Sequence, residues 1–377
     1  MARLIVGALG ATIALLAGAL PGRALEIGPD TDYCAMIKTL KPGEELVLRP
    51  GDYHGPCAIR RGGTPGAPIV IRAQSPEHRP RIVYEGRSTN VLEVRTSHVV
   101  IRGLEFGPTQ TDVDAVRIFG GSDITVEGCR FTGLRGIAVV ANHNSVQGLT
   151  VRRNEILDST TAMYFGCHDG QWCEVGDLLV ERNYIRRVTA PDPYIGYGIQ
   201  LKLNTAGIVR DNVVVDTKGP GIMVYGATDG RRASVVERNL VIGSRQSAGI
   251  VVGGGPAVVR NNIVVDNATA GIALEDYRKR GLLRGVRVLH NTAYRNGGPG
   301  ILLPDAGPLE AIIANNAVAA RAGIVALPGP RAGAVLEGNV DCSAANCFAA
   351  PDERDFSPVA GSPVSRSAGA GGAWVPE

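Results

Sequence analysis

The sequence of 377 residues has little net charge, little lysine and, after its first segment, no long hydrophobic run. The formal net charge of +3 is too small to indicate a nucleic-acid partner. Beyond residue 24 no apolar stretch is long enough to cross a bilayer, so we expect no membrane span once a leader is removed. The lysines are few enough to name in full: Lys38, Lys41, Lys202, Lys218 and Lys279.

Helical periodicity is also missing. The repeated windows lack apolar residues at i, i+3 and i+4, Val and Ile dominate, and the 50 glycines would interrupt helices. Instead, ten segments spaced 23–29 residues apart alternate apolar and polar residues. They occupy 100–106, 125–131, 150–156, 179–185, 208–214, 235–241, 258–264, 287–293, 312–318 and 335–341. This period predicts a solenoid, and the alternation predicts that its coils are built from strands.

The fifth position of the repeat is asparagine in all but the first two segments, which have Leu104 and Cys129. The asparagines are Asn154, Asn183, Asn212, Asn239, Asn262, Asn291, Asn316 and Asn339. A tight coil has to bend, and asparagine tolerates left-handed backbone and bonds neighbouring backbone amides. We therefore expect an internal amide ladder, a structural role rather than a ligand-binding one.

A second strand signal, usually opening with Gly-Ile, follows in eight coils. It occupies 136–140, 161–165, 198–202, 221–225, 249–253, 271–275, 300–304 and 323–327. Positions two and four are mostly aliphatic, and residues two apart share one face of a strand. These positions should point into a continuous core, and positions three and five should point outward. This alignment puts Phe165, Lys202, Tyr225 and Glu275 in one outward column, with Gln200 at position three.

With these two strand patterns the chain resembles right-handed parallel β-helix proteins of the pectate-lyase-like superfamily, roughly over residues 42–367. The segment 355–370 is similar to endings common in that group. The resemblance implies an all-β fold, a single right-handed parallel β-helix (solenoid) of about ten coils. Because the superfamily includes lyases, hydrolases, epimerases, phage tailspikes and surface proteins, the fold alone does not define an activity.

Four regions are expected along the chain: 1–24 a signal peptide, 25–60 an N-terminal cap, 61–349 the β-helix, and 350–377 a C-terminal cap and tail of irregular chain. Residues 1–24 combine Arg3, an apolar run and a small-residue cleavage site, which is typical of a signal peptide. The expected localisation is therefore secreted or periplasmic.

Seven cysteines fit an oxidising compartment. Cys34 and Cys57 flank the first coil and are placed to pin the N-terminal cap, although sequence alone does not give connectivity. Two further pairs are close enough to staple short loops: Cys167 with Cys173, and Cys342 with Cys347. Cys129 should be a buried free thiol. A zinc site at Cys167, His168 and Cys173 is a weaker alternative, because the spacing is not a usual zinc pattern.

The outward columns bring candidate catalytic residues together. Neighbouring coils stack about 4.8 Å apart, so Lys202 and Tyr225 should be adjacent on one exposed face. Gln200 should lie one step along the strand, and Glu275 two coils from Tyr225. A solvated surface pair without function is the alternative interpretation of Lys202 and Tyr225.

The longest insertions leave the same central coils, at 167–177, 188–197, 226–232 and 275–281. Loops on a rigid scaffold commonly carry binding residues. His168, Trp172, Tyr197, Arg231 and Arg232 are the candidates, with Gln200 and Glu275, for contacting a sugar chain, because aromatic rings stack on sugars and arginines bind carboxylates. We expect a polysaccharide partner, although polar loops are common on any secreted protein.

A lysine and a tyrosine beside arginines suit β-elimination on a uronic acid polymer. A neutralised carboxylate makes the C5 proton more acidic, a base removes that proton, and an acid protonates the departing glycosidic oxygen. Lys202 is the candidate base, Tyr225 the candidate acid, and Arg231 or Arg232 the candidate carboxylate partner. The same groups would give C5 epimerisation if the proton returned to the other face.

Around Lys202 the chain is similar to the β-helix chondroitin and alginate lyases. That resemblance implies a lysine base and an arginine acid on successive coils. Lys202 matches the lysine, whereas Tyr225 stands where the arginine is expected. The same family binds calcium through an Asn/Glu cluster. Glu155 and Glu181 are the candidates here, but the cluster as a whole is not recognisable in this sequence. We therefore assign no cofactor and no metal ligand, and keep Ca²⁺ as an open alternative.

Two other functions compete with a lyase or epimerase. A glycoside hydrolase would use two carboxylates, whose separation distinguishes inverting from retaining chemistry. The candidates are Asp169, Glu174, Asp229 and Glu275. A non-catalytic glycan-binding surface scaffold is the other alternative, and it predicts a flat central face with a fully solvated Lys202. The oligomeric state is not predicted.

Overall fold

The computed structural model describes residues 22–168, 172–304, 307–326, 333–343 and 346–364. The predicted signal peptide therefore lies outside the described residues, except for residues 22–24. The chain forms a right-handed parallel β-solenoid of about 12 turns, which confirms the predicted fold. Helix in the described part is limited to Tyr33–Ile37 and the short turns Tyr277–Lys279 and Pro351–Glu353. The structure has more turns than the expected ten because the solenoid begins before residue 100, where the sequence repeat is not recognisable.

The strands form three parallel sheets, one on each side of the coil. The first sheet consists of Ala24–Ile27, Glu45–Leu48, Ile69–Ala73, Val99–Arg102, Gly121–Glu127, Val146–Arg152, Val175–Glu181, Thr205–Arg210, Ser234–Glu237, Ala257–Arg260, Val286–Leu289, Ala311–Ala314 and Ala334–Glu337. The second consists of Asp52–His54, Arg81–Val83, Glu105–Phe106, Tyr184–Val188, Val213–Thr217, Leu240–Ile242, Ile263–Val265, Thr292–Tyr294, Ala317–Ala319 and Val340–Asp341.

The third sheet consists of Cys57–Ile59, Leu92–Val94, Val116–Ile118, Ile199–Leu201, Ile222–Val224, Ile250–Val252, Ile272–Leu274, Ile301–Leu302 and Val325–Ala326. Two long strands, Arg130–Ala141 and Glu155–Phe165, run from the second sheet into the third. At these two coils the chain passes from the second sheet to the third in strand conformation, without a turn.

The core fills the space between the three sheets. From residue 198 onward, positions two and four of the Gly-Ile segments point inward as predicted: Ile199, Leu201, Ile222 and Val224 have no exposed surface. Branched side chains suit this setting because they pack well on a pleated surface that is buried on one side. Each coil buries its inner side chains only against the coils above and below, so the core is continuous along the axis.

The asparagines form the predicted internal ladder. The Asn183 side-chain oxygen accepts hydrogen bonds from the backbone nitrogen of Asn154, at 3.0 Å, and from its side-chain nitrogen, at 3.0 Å. The same pattern continues from Asn183 through Asn339. Because every buried amide has partners in the neighbouring coils, the ladder satisfies polar groups that would otherwise be costly to bury.

The prediction that asparagine is the left-handed residue at each bend is wrong, because the residue before it has the positive φ. All ten repeats have positive φ at position four: Gly103, Gly128, Arg153, Arg182, Asp211, Arg238, Asn261, His290, Asn315 and Gly338. Position four turns the chain, and the amide at position five holds the turn through hydrogen bonds to the next coil.

Position three of the repeat alternates in charge along the outside of the first sheet. The residues in register are Arg102, Glu127, Arg152, Glu181, Arg210, Glu237 and Arg260. Glu127 contacts both Arg102 and Arg152, the latter at 2.5 Å. Glu181 pairs with Arg210 at 2.7 Å, and Glu237 with Arg260 at 2.6 Å. Opposite charges directly across neighbouring strands stabilise a sheet.

The three predicted disulfides are present: Cys34–Cys57, Cys167–Cys173 and Cys342–Cys347. Cys129 is the free cysteine among the described residues, and burial raises the pKa of its thiol to about 12. The short helix is tied by the first disulfide to strand Cys57–Ile59.

The C-terminal segment returns along the outside of the solenoid. Strands Phe348–Ala350 and Asp355–Pro358 pair as an antiparallel hairpin, where irregular chain is expected. Phe348 and Phe356 pack with Ile242, Ile263 and Val265, which point outward from the second sheet. An apolar outer face of the second sheet is thereby covered.

Candidate functional site

The exterior of the third sheet, which we call the third face, carries the predicted catalytic pair. Its register pairs Met163 with Ile199, Tyr164 with Gln200, and Phe165 with Leu201. Phe165 is therefore a buried core residue and Tyr164 points outward. The predicted alignment of segment 161–165 is wrong by one residue, because this segment lacks the Gly-Ile start and belongs to a strand that runs through the corner.

Two outward columns run along the third face. The first contains Ala58, Glu93, Arg117, Val140, Tyr164, Gln200, Met223, Val251 and Ala273. The second lies two residues further along each coil and contains Arg60, Arg95, Phe119, Asn142, Gly166, Lys202, Tyr225, Gly253 and Glu275. Side chains separated widely in sequence therefore become neighbours at the spacing of the coils, about 4.8 Å.

Lys202 and Tyr225 are neighbours in the second column. The Tyr225 backbone nitrogen donates to the Leu201 carbonyl at 2.9 Å, which places the two residues on adjacent coils. Lys202 Nζ lies 4.3 Å from the centroid of the Tyr225 ring. Both side chains are outside the core, but they are not on an exposed face as predicted: Lys202 is 6% exposed and Tyr225 2%. Surrounding loops cover them.

The Tyr225 hydroxyl is held by two polar partners. It lies 3.1 Å from the Tyr197 hydroxyl and accepts a hydrogen bond from Gln200 Nε2 at 3.2 Å. Burial, with a further contribution from Tyr197, raises the pKa of Tyr225 far above its ordinary value. Burial also raises the pKa of Tyr197. Both hydroxyls therefore stay protonated at neutral pH.

A groove of about 370 Å³ opens over Tyr225 on its C-terminal side. Tyr194, Tyr197 and Tyr277 line it with aromatic rings, and Glu275 is also among its lining residues. The Tyr277 ring packs edge-on against the Tyr225 ring with centroids 4.4 Å apart, and lies 5.6 Å from Lys202 Nζ. Although Glu275 reaches the surface, partial desolvation in the groove raises the pKa of its carboxyl.

The loop 188–197 forms one wall and is fastened to the next coil. Lys218 Nζ donates to Asp192 at 2.5 Å and to the Tyr194 carbonyl at 2.7 Å. The hydrogen bond from Lys218 lowers the pKa of the Asp192 carboxyl. Tyr194 remains 61% exposed at the groove entrance. An exposed aromatic ring at the mouth of a groove is suited to stacking on a sugar or another flat ligand.

His168 lies on the N-terminal side of Lys202, in a hydrogen-bonded chain that is not predicted from the sequence. His168 Nδ1 is 3.0 Å from the Tyr164 hydroxyl, and Nε2 is 3.4 Å from Asn142 Nδ2. Arg117 donates to the Asn142 oxygen at 2.7 Å and pairs with Asp114 at 2.8 Å. The correct register of segment 161–165 would reveal Tyr164, because it shares the column of Gln200.

Three predicted binding residues lie away from the groove. Arg232 pairs with Glu174 at 3.0 Å and approaches Asp229 at 3.7 Å, while Arg231 and Trp172 are exposed. Of the predicted site residues, Tyr197, Tyr225 and Glu275 line the groove. The described residues that line it do not include Lys202, Gln200, His168, Arg231, Arg232 or Trp172. Asp169, a candidate for hydrolase chemistry, falls outside the described residues.

The sequence matches the family described as right handed beta helix region over residues 82–255 and 176–347, which together span more than half of the chain. The chain belongs to this right-handed β-helix family. Among curated proteins, no sequence matches this β-helix protein significantly.

Solved structures with the same fold include three with carbohydrate-related names. The polysaccharide lyase Pedsa3628 of the PL6 family, from Pseudopedobacter saltans, is 15% identical with a TM-score of 0.51, covering 92% of this chain and 99% of the other. The A-module of a mannuronan C-5 epimerase from Azotobacter vinelandii is 13% identical with a TM-score of 0.52, covering 85% and 98%. The PL6 family alginate lyase AlyGC is 16% identical with a TM-score of 0.53, covering 94% and 59%.

Metal-binding residues do not assemble in the described part of this β-helix protein. The zinc alternative at Cys167 and Cys173 is wrong, because the two sulfurs form a disulfide. Glu155 pairs with Arg130 at 3.2 Å and Glu181 with Arg210 at 2.7 Å. No group of three or more His, Cys, Asp and Glu side chains among the described residues has the arrangement to hold a metal ion.

The described part of the chain also contains no helix with the length and apolar character of a membrane span.

Proposed function

We propose that this β-helix protein is a polysaccharide lyase or C5 epimerase that acts on an acidic, uronate-containing glycan. The observation that carries the proposal is the pairing of Lys202 Nζ with the Tyr225 ring at 4.3 Å, beside an aromatic-walled groove. A potential base and a tyrosine kept protonated thus lie on adjacent coils, next to a surface suited to sugars.

In this proposal Lys202 is the base and Tyr225 the acid. The neutral amine of Lys202 takes the C5 proton, and the electron pair moves onto the substrate carboxylate. For elimination, the C4–oxygen bond then breaks, a C4–C5 double bond forms, and the Tyr225 hydroxyl donates its proton to the departing glycosidic oxygen. For epimerisation, a proton returns to C5 from the opposite side and no bond to oxygen breaks.

Substrate has to displace part of the cover over Lys202. A base acts only within hydrogen-bonding reach of its proton, or through one water, and Lys202 is 6% exposed. The Tyr277 ring, at 5.6 Å from Nζ, is the side chain we propose to move. Tyr277 lies in a short loop after strand Ile272–Leu274, and loops on a rigid scaffold are the parts that move most easily.

The arginine that neutralises the uronate carboxylate is proposed to lie in the 275–281 loop, not in the 226–232 loop. Arg278 and Arg280 lie 5.5 Å and 5.3 Å from the ring of Tyr277, which lines the groove. Either guanidinium can bind a carboxylate through two hydrogen bonds. We propose that one of them receives the uronate carboxylate when Tyr277 moves.

The names of the structural neighbours support the substrate class, since two are lyases of the PL6 family and one is a mannuronan C-5 epimerase. Export to the periplasm or the exterior is part of the proposal. Three disulfides are expected of a protein that works in an oxidising compartment.

A second candidate is a glycoside hydrolase that uses Glu275. Glu275 and Asp192 line the same groove, and their pKa values are displaced in opposite directions, raised for Glu275 and lowered for Asp192. A carboxyl with a raised pKa, such as Glu275, is suited to the role of general acid in such an enzyme. This candidate does not involve Lys202.

The decisive experiment is a screen of the purified protein against acidic polysaccharides with three readouts. A lyase produces unsaturated uronate that absorbs in the far ultraviolet, and an epimerase incorporates deuterium at C5 in heavy water without cleavage. A hydrolase produces new reducing ends without either signal. Binding without any change in the polymer would reject both enzyme proposals in favour of a glycan-binding scaffold.

A further inference from the structure

A second concave site lies at the N-terminal end of the third face. It encloses about 270 Å³ and is lined by Ile37, Lys38, Ala58, Arg60 and Arg61. Three of these five residues are cationic, and all three cations are exposed. The net charge of the whole chain is only +3, so this concentration of charge is local rather than general.

The fold fixes the backbone positions of the three cationic residues. Lys38 directly follows helix Tyr33–Ile37, which is fixed by the Cys34–Cys57 disulfide and by a 2.8 Å hydrogen bond from the Tyr33 hydroxyl to the Gly55 carbonyl. Arg60 and Arg61 directly follow the strand that contains Cys57. The helix is thereby pinned against this strand, with its cation beside theirs.

These cations differ from the other arginines further along the third face. Arg95 pairs with Glu93 at 2.9 Å and Arg117 with Asp114 at 2.8 Å, so each is neutralised within the protein. Among the described residues, by contrast, no carboxylate forms an ion pair with Lys38, Arg60 or Arg61. Three unneutralised cations around a concavity form a site for anionic groups.

The site lies on the same face of the solenoid as the candidate active site. Arg60 is the first member of the outward column that contains Lys202, and five coil steps separate the two residues. At about 4.8 Å for each step, the distance along the axis is about 24 Å. A sugar polymer lying along the third face would cover both sites.

We propose that Lys38, Arg60 and Arg61 bind carboxylates of a distal segment of the same acidic polysaccharide whose reacting unit lies at Lys202. This inference rests on the proposed function, and it makes the preferred substrate a long polyuronate rather than a short oligomer. Arginine and lysine together suit this task because the carboxylates of a polymer arrive in variable orientations.

The test is the affinity of the triple variant K38Q/R60Q/R61Q for long polyuronate chains and for short oligomers of the same polymer, at low and high salt. Alginate and polygalacturonate are the probes. We expect about tenfold weaker binding of long chains at low salt, since three exposed charge contacts are lost. Binding of short oligomers should be unchanged, and the difference should shrink at high salt.

The matched control is R135Q/R287Q/R321Q, which removes the same charge from exposed arginines elsewhere. An equal loss in the control would overturn the proposal, because the effect would then come from net charge. Unchanged binding of long chains by the triple variant would also overturn it. The proposal would also be overturned if the wild type bound anionic lipid vesicles or DNA more tightly than either polyuronate and the triple variant lost that binding.

The readout is equilibrium binding rather than turnover, so it separates this inference from the proposed function. A protein that binds long polyuronate through Lys38, Arg60 and Arg61 but leaves the C5 proton in place would support the site and reject the enzyme. The double variant R60Q/R61Q, which keeps Lys38, should lose less affinity for long polyuronate than the triple variant.

Discussion

At the scale of single residues, the hydroxyl of Tyr225 is the most informative atom. It lies between Tyr197 and Gln200, is 2% exposed, and keeps its proton because burial raises its pKa. A tyrosine in that state holds a proton that it can donate to a leaving oxygen, and it cannot act as a base while it keeps that proton. The acid role of Tyr225 remains a prediction, supported by its position beside Lys202.

Substitution Tyr225→Phe should lower turnover by about 100-fold or more, the usual scale for a positioned acid–base group, with the fold intact. The change removes only the hydroxyl, so the ring should keep its packing against Tyr277. Steady-state kinetics on the substrate found by the screen is the measurement. The matched variant Tyr194→Phe, at an exposed position, should retain turnover. Normal turnover of Tyr225→Phe would remove this residue from the mechanism.

The asparagine ladder gives a second residue-scale prediction. Asn239→Ala should lower the free energy of unfolding by about 3 kcal/mol, because two buried donors of Asn212 lose their acceptor. Asn339, at the end of the ladder and only partly buried, should cost less when changed to Ala. Urea unfolding of both variants is the measurement. Equal losses would show that burial of the amide does not determine its contribution.

At the scale of elements, neighbouring strands of the first sheet are joined by charge as well as by backbone hydrogen bonds. Burial of Glu127 opposes its ionisation, but hydrogen bonds from Arg152 and Arg102 outweigh burial and lower the pKa of its carboxyl below the ordinary 4.5. A lowered pKa means that the ionised carboxylate stabilises the fold fully above that ordinary value. The stabilisation is lost as the pH falls through the lowered pKa.

Glu127→Gln should therefore cost about 2 kcal/mol of unfolding free energy at pH 7 and progressively less as the pH falls below 4.5. The measurement is the difference between variant and wild type in urea unfolding across this range. Glu155→Gln, which removes a more exposed partner of Arg130, should cost under about 1 kcal/mol at any pH. A pH-independent cost for Glu127→Gln would contradict the ion-pair interpretation.

Most of the strands can be predicted from the sequence, because the repeat gives both the length of each coil and the face of the strand on which each residue lies. The asparagine column and the inward Ile199 and Leu201 are read directly from the pattern. The register at Tyr164 is not, because the strand continues through a corner where the pattern expects a turn. The alternating charge at position three is visible in the repeats, but only the structure shows that the Arg and Glu residues of neighbouring coils lie directly opposite each other.

The cover over the site escapes sequence analysis for a different reason. The positions of Tyr197 and Tyr277 over Tyr225 depend on how two loops from different coils pack together. Neither loop has a repeating pattern that fixes its path. The same reasoning explains Arg232, which the sequence puts on a loop beside the site and the structure places against Glu174.

At the scale of the whole molecule, a solenoid has no distant contacts through its core, so each coil is stabilised mainly by its neighbours. The C-terminal hairpin departs from this rule because it packs along the outside of several coils. Phe356 contacts Phe348 and Tyr294 with ring centroids 5.4 Å and 5.5 Å apart. Stability should therefore differ between the two ends.

Phe356→Ala should cost about 3 kcal/mol locally, because a buried ring is lost. Hydrogen exchange is the measurement. Strands Ile263–Val265 and Thr292–Tyr294 should lose protection, whereas Ile69–Ala73 near the N-terminus should keep it. Uniform loss of protection along the chain would show that the solenoid unfolds as one unit and that the hairpin is not a local clamp.

The central claim, that the third face removes a C5 proton from a uronate through Lys202, is tested most directly by following that proton. The measurement is the C5 hydrogen signal of the identified polysaccharide in heavy water, by nuclear magnetic resonance, for wild type and Lys202→Ala. The claim predicts loss of the C5 hydrogen with wild type, giving unsaturated or inverted units, and a rate at least about 100-fold lower with Lys202→Ala. Cleavage that retains the C5 hydrogen, or equal rates for the two proteins, would contradict it.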